Sequence, residues 1–212
     1  MIQPKVFTSA LPHNTALLIA EIQKEQPEFL NDFYLSGGTA LALQLGHRES
    51  DDLDFFRQED FDPSAIEQQL LKISNLEETE LARGTLNSFL RGVKLQFLHY
   101  PYELIKPTFL WSGLNLSSLE DIACTKMQTI GMRGSKKDFI DLFFLLKHFT
   151  LSNLFELMQR KYRQINYSQT HVLKSLVYFE DAEQQPMPRM HQEVSWVEIK
   201  RTMVETVKRQ RF

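Results

Sequence analysis

Several things are scarce in this sequence, and each scarcity removes a class of protein. A single cysteine, Cys124, among 212 residues excludes an internal disulfide framework and suits a reducing cytoplasm. No apolar run approaches the length of a membrane span. The opening MIQPKVFTSALP also lacks the basic-then-apolar order of a signal peptide, so a cytoplasmic chain with no membrane partner is expected. The six histidines show no metal-ligand spacing. Neither a Gly-x-Ser-x-Gly elbow nor a Walker lysine motif occurs, which tells against hydrolase and P-loop chemistry. Internal repeats and low-complexity tracts are absent as well.

What is present can bury a core. Apolar residues make up 42% of the chain, enough for one large domain or one domain with a helical extension. The net charge of −3 hides an asymmetry: residues 1–100 hold 15 acids and 8 bases, and residues 101–212 hold 12 acids and 16 bases. The first half suits a metal-attracting field, the second polyphosphate or RNA, although solvated helix faces give similar counts.

The informative stretch is Phe33 to Phe56, FYLSGGTALALQLGHRESDDLDFF. It reads as a short strand, a break at Ser36-Gly37-Gly38, an apolar helix to Leu45, and a second strand entered through Asp51-Asp52-Leu53-Asp54. Glycines between strand and helix let a backbone approach a ligand, and the free N–H groups that open a helix form an anion site. On a strand, Asp52 and Asp54 point to one face while Leu53 turns inward. Paired carboxylates repel unless a cation sits between them, and they suit Mg²⁺ that also takes substrate phosphates. A tight turn and a solvated strand end are the structural alternatives for each half alone. Together they describe a site for nucleoside triphosphates.

Gly37-Gly38-Thr39 followed by His47-Arg48-x-Ser50-x-Asp52-Leu53-Asp54-Phe55 resembles the nucleotidyltransferase motif of the polymerase-beta superfamily. More closely it resembles the AbiEii/AbiGii-type nucleotidyltransferase toxin family, and the likeness runs from about Phe33 to Asp181. The resemblance implies an α+β fold: a polymerase-beta-like nucleotidyltransferase core with a mixed or antiparallel sheet, then a helical C-terminal region. The division expected is 1–112 for the core and 113–212 for the helices that complete the cleft.

Periodicity fills in the rest. Helices are expected from Asn14 to Phe29 and from Pro63 to Ser74, and strands over 77–83, 85–90 and 93–100, with turns at Gly84 and Arg91-Gly92. This order predicts a sheet with helices on one side. A loop with Pro107 and Gly113 leads to helices beginning near Ser117, Ser135, Leu151, Ser168 and Glu193, the last ending in a basic stretch at Lys208, Arg209 and Arg211. The third carboxylate of the superfamily pattern belongs on the 93–98 strand, where Gln96 stands instead. That substitution puts a second metal site and deprotonation of the acceptor in doubt.

Lys126 interrupts the apolar stripe Leu119, Ile122, Ala123, Ile130. It either snorkels to an edge or reaches a triphosphate, and the family's matching lysine implies the second. In Arg133-Gly134-Ser135-Lys136-Lys137-Asp138-Phe139-Ile140-Asp141, Ser135 and Asp138 have capping-box spacing. Two readings of this segment stand level. Arg133 and Lys137 neutralise phosphate while Asp138 or Asp141 supplies the carboxylate missing at Gln96, or Arg–Asp pairs staple two helices together.

The expectation is therefore a Mg²⁺- or Mn²⁺-dependent nucleotidyltransferase. Asp52 and Asp54 hold metal, while Gly37, Gly38, Thr39, Arg48 and Ser50 bind the triphosphate. Lys126 offsets charge on the leaving pyrophosphate. The resemblance implies an RNA (tRNA) or protein acceptor and a type IV toxin–antitoxin or phage-defence pair with an antitoxin encoded nearby. Phosphotransfer on the same fold, and a catalytically inactive nucleotide- or partner-binding module, remain as alternatives.

Overall fold

The computed structural model describes residues 5–165 and 167–210, so Arg211 lies outside the described residues. Seven strands form one mixed sheet in the order β3-β4-β5-β2-β1-β7-β6. They are β1 (Tyr34–Ser36), β2 (Leu53–Arg57), β3 (Leu76–Ala82), β4 (Thr85–Leu90), β5 (Val93–His99), β6 (Phe109–Trp111) and β7 (Leu114–Leu116). The helices are α1 (His13–Glu25), α2 (Gly37–Leu45), α3 (Pro63–Leu71), α4 (Leu119–Met132), α5 (Lys136–Leu145), α6 (Leu151–Lys161), α7 (Gln169–Ser175), α8 (Glu180–Glu183) and α9 (Trp196–Arg209).

β2 is the hub. It runs antiparallel to β1, with Ser36 opposite Asp54, and parallel to β5, with Asp54 opposite Gln96. Alternation along the central strands sends Leu53, Phe55, Leu86, Leu95 and Phe97 to a fully buried face. There Phe55 stacks on Phe97 at 5.0 Å and Phe33 meets Phe97 edge-on at 5.1 Å. α1 packs beside β5, and α3 beside β3 and β4.

The expectation of helices on one side of the sheet is corrected here. The opposite face of β1 and β2 is covered too: Tyr34 packs on Phe56, and Phe56 on Tyr100. The Tyr100 hydroxyl lies 2.6 Å from that of Tyr162, just past α6. Only the β5–β4–β3 part of this face stays open, where Asn87, Phe89, Lys94 and Gln96 are half-buried or exposed.

The stretch expected to be a loop around Gly113 is instead the β6–β7 hairpin, turning through Ser112 and Gly113, both at positive φ. β7 then pairs parallel with β1, Leu35 opposite Leu116. A boundary between residues 112 and 113 would cut this hairpin and divide the sheet, so the division expected from the sequence does not follow the architecture. Short strands between polar residues give little periodicity to detect. The helix expected from Ser168 to Phe179 is α7, which ends at Ser175, and the one-turn α8 follows from Glu180. No helix among the described residues is long and apolar enough to cross a membrane.

Candidate active site

The two glycines have separate tasks. Gly37 sits at φ +63°, and a Cβ there would stand 2.1 Å from Oδ2 of Asp54. A Cβ on Gly38 would stand 2.6 Å from Nη2 of Arg48. Both glycines therefore admit side chains of the site itself. Asp54 comes to rest against the first turn of α2, whose N-cap residue Ser36 makes no side-chain capping bond. The amides that open α2 are thus left for an anion.

Asp52 and Asp54 stand at the start of β2, both partly exposed. Burial is the main cause that pushes the Asp54 carboxyl up to about 6, and Asp52 adds to it; Lys126, Lys94 and Arg133 oppose it. The alternation expected from the sequence holds, with Leu53 fully buried between them. The third carboxylate position is Gln96, directly beside Asp54 in the ladder. Its Nε2 donates to Oδ1 of Asn87 at 2.7 Å. Among the described residues no three His, Cys, Asp or Glu side chains converge to hold a metal. Two carboxylates nonetheless suit a divalent ion that completes its shell with water and phosphate, so the donor set at Asp52 and Asp54 fits Mg²⁺.

Behind this pair lies a buried charge cluster. Arg48 is 1% exposed and Asp141 0%. Arg48 donates Nε to Oδ1 of Asp141 at 2.7 Å and Nη2 to Oδ2 at 2.9 Å, and its Nη1 donates to the Glu49 carbonyl at 2.8 Å. His47 Nε2 lies 2.8 Å from the same Oδ1. Burial keeps His47 neutral by lowering its pKa, against the pull of Asp141, so Nε2–H is the donor and Nδ1 is left without a partner. Lys126, 7% exposed, reaches Oδ2 of Asp141 at 2.6 Å and Oδ1 of Asp138 at 2.8 Å. Burial works against charge on Asp141, but Arg48 and Lys126 outweigh it and hold the carboxyl well below the usual range.

These contacts correct several sequence expectations. Asp141 cannot replace the carboxylate missing at Gln96, because both its oxygens are engaged away from solvent. Asp138 closes the capping box of α5 with Ser135 while holding Lys126, so its carboxylate is committed as well. Arg48 is buried and spends three of its five N–H donors on Asp141 and the Glu49 carbonyl, so it is held within the fold. Thr39 is fully buried; its hydroxyl donates to the Asp52 carbonyl and is hydrogen-bonded to Ser50 Oγ, tying α2 to the entrance of β2. The buried Arg–Asp pair that does form, Arg48 with Asp141, joins α5 to the loop after α2 and not two helices as the stapling alternative had it.

Lys126 retains one of three N–H donors beyond its two carboxylates, and its charge is the strongest opposing influence on Asp54. Arg133 is 74% exposed, 3.9 Å from Asp138. Half-exposed Lys137 reaches Asp51 at 3.4 Å. Of the cations expected at the triphosphate, these three remain able to meet it.

Two features escaped the sequence reading. Lys94 lies two residues before Gln96, on the same face, and period-two alternation on β5 could have found it. The polar Pro-rich segment after α8 folds back as a strap on residues 47–49. Glu49 N–H donates to the Arg189 carbonyl at 2.8 Å, His191 N–H to the His47 carbonyl at 2.9 Å, and Arg48 bridges Met190. Nothing local in that segment signals such pairing.

With this geometry in view, four likenesses acquire meaning. The profile of the family described as nucleotidyl transferase AbiEii toxin, type IV TA system, matches residues 23–108 and 98–212. An uncharacterized protein of Aquifex aeolicus (strain VF5) is 42% identical over 180 residues, spanning 78% of this chain and 86% of that one. Two solved structures share the fold. MenT4, a nucleotidyltransferase toxin of Mycobacterium tuberculosis H37Rv, is 15% identical with TM-score 0.55, over 93% of this chain and 85% of that one. JHP933 of Helicobacter pylori is 17% identical with TM-score 0.53, over 93% and 92%. A family match over nearly the whole chain decides the assignment: this protein is a nucleotidyltransferase and belongs to the AbiEii toxin family of type IV toxin–antitoxin systems.

Proposed function

We propose that the chain moves a nucleoside monophosphate from a nucleoside triphosphate to a hydroxyl of RNA or protein, and acts as the toxin of a toxin–antitoxin pair. The observation that carries this reading is the contact between Asp54 and the uncapped start of α2 at Gly37. It sets a metal-suited carboxylate pair against a phosphate-suited row of amides.

Asp52 and Asp54 would hold Mg²⁺, which when bound lowers the cost of negative charge on the phosphates. The amides of Gly37 and Gly38 orient the triphosphate, and Lys126, Arg133 and Lys137 balance charge on the departing end. The acceptor oxygen forms a bond to the α-phosphorus as the bond to the bridging oxygen breaks. Pyrophosphate leaves with that electron pair. Neutral Gln96 takes no proton, and the hydroxyl proton is released to solvent. Positioning and electrostatics supply most of the acceleration in such a transfer.

The test is incubation with Mg²⁺, cellular RNA and each α-labelled nucleoside triphosphate, beside Asp52→Ala and Asp54→Ala variants. Label should enter RNA or protein with the native chain and fall at least about a hundredfold in either variant, as when a transition-state contact is removed. Transfer of γ-label alone would replace this reading with phosphotransfer. Nucleotide binding without transfer of either label would leave a binding module.

A further inference from the structure

The sheet face beside the carboxylates is open, and its register places unlike groups next to one another. Asp54 stands beside Gln96, and Gln96 beside Asn87. One step along the same strands, Lys94 stands beside Phe89, and extending the β2–β5 ladder by one residue brings Asp52 next to Lys94. A cleft of about 360 Å³ at this end of the strands is lined by Asp51, Asp52, Phe89, Lys94, His13 and Asn14, a volume within the range of small-molecule sites. Phe89 is only half-buried and Lys94 exposed, although neighbours on their strands are fully buried.

In-line transfer requires the attacking and leaving oxygens on opposite sides of the α-phosphorus. The amides of Gly37 and Gly38, which take the departing end, lie on the β1 side of Asp54. The attacking hydroxyl must then arrive from the β5 side, where Phe89 and Lys94 are. A flat ring and an ammonium about one strand spacing apart, ~4.8 Å, match a nucleobase face and its phosphodiester. A protein acceptor brings no backbone phosphate for the Lys94 ammonium, whereas a polynucleotide uses ring and ammonium together. Gln96 and Asn87 add amide donors and acceptors at the height of Asp54, suited to a sugar hydroxyl.

We propose that the open face of β4 and β5 is the acceptor subsite, holding a single-stranded polynucleotide end with a base on Phe89 and a phosphate against Lys94. The proposal rests on the transfer reading above for its purpose, and its test does not depend on turnover.

Binding of short fluorescein-labelled single-stranded oligoribonucleotides and matched oligodeoxyribonucleotides is measured by anisotropy in Mg²⁺, without nucleoside triphosphate, across a salt series. Phe89→Ala should weaken the preferred oligonucleotide roughly 5- to 150-fold, while Phe89→Trp retains affinity. Lys94→Gln should reduce the slope of log affinity against log salt by roughly 0.7. In transfer assays both substitutions should raise KM for the acceptor and leave KM for the nucleotide unchanged. Oligonucleotide affinity equal to wild type in Phe89→Ala and Lys94→Gln would overturn the proposal, as would a native chain that binds neither oligonucleotide. Label moving only to protein would overturn it too, with the transfer reading intact. Phe89-dependent oligonucleotide binding with no transfer of any label would support the subsite and remove the transfer reading instead.

Discussion

Asp54 is the residue on which the site's chemistry and its stability conflict. Its carboxyl is pushed up to about 6, chiefly by burial against α2, while an unfolded chain would titrate it near about 3.9. The folded protein therefore binds the extra proton between those values, and stability from this group falls as pH rises through about 4 to 6. In metal-free Asp54→Asn that contribution vanishes, so its urea midpoint should decline less than that of wild type across the same window. Parallel pH profiles for the two proteins would refute the assignment. The carboxylates and glycines of this site were legible from residue type and spacing. The duties of Thr39 and Arg48 were not, since a hydroxyl or guanidinium near a phosphate site has the same letter whether it faces the ligand or the protein. Burial decides, and burial is a tertiary property.

At the scale of elements, the strap of residues 183–192 replaces what a neighbouring strand would do for the loop 46–50. Besides the backbone bonds to His47 and Glu49, Gln192 Nε2 donates to the Leu45 carbonyl at the end of α2, at 3.0 Å. The strap is itself held by Lys136, 5% exposed, whose ammonium donates to the carbonyls of Glu183 and Gln185 and lies 5.1 Å from the Trp196 ring centre. Lys136→Met leaves those carbonyls without their donor, a loss of about 1–3 kcal/mol. Hydrogen exchange should quicken at the Glu49 and His191 amides and stay slow on β4 and β5. Uniform acceleration over the whole chain, or none, would show that the strap is not a separate unit. The long helices α1, α4 and α6 were recoverable from periodicity to within a few residues. The strap was not, because its partners lie far away in sequence, and neither was the β6–β7 hairpin, whose three-residue strands give little periodicity to detect.

For the whole molecule, Asp141 joins the two halves of the chain. It lies on α5 and binds Arg48 and His47 from the loop after α2, together with Lys126 from α4. Three backbone segments thus meet at one carboxylate. Asp141→Asn leaves two buried cations underpaired, and a broken buried ion pair costs about 3–5 kcal/mol. The urea midpoint should drop accordingly, and the gap from wild type should narrow as pH falls below about 4, where the lowered pKa of Asp141 ceases to favour the folded state. A variant as stable as wild type at neutral pH would show that the cluster is not what holds the halves together.

The sequence by itself determined the chemistry on offer: a glycine pair before a helix, two carboxylates two residues apart on a strand, a lysine in an apolar stripe, and an amide where a third acid is expected. These follow from local geometry, because strand alternation and helix capping depend on near neighbours. Only the tertiary structure decided which charges face the cleft and which are spent on one another. Arg48, Asp138 and Asp141 went inward because a buried charge must find an opposite charge wherever the fold supplies one. Phe89 and Lys94 stayed outward because, among the described residues, no helix covers that end of the sheet.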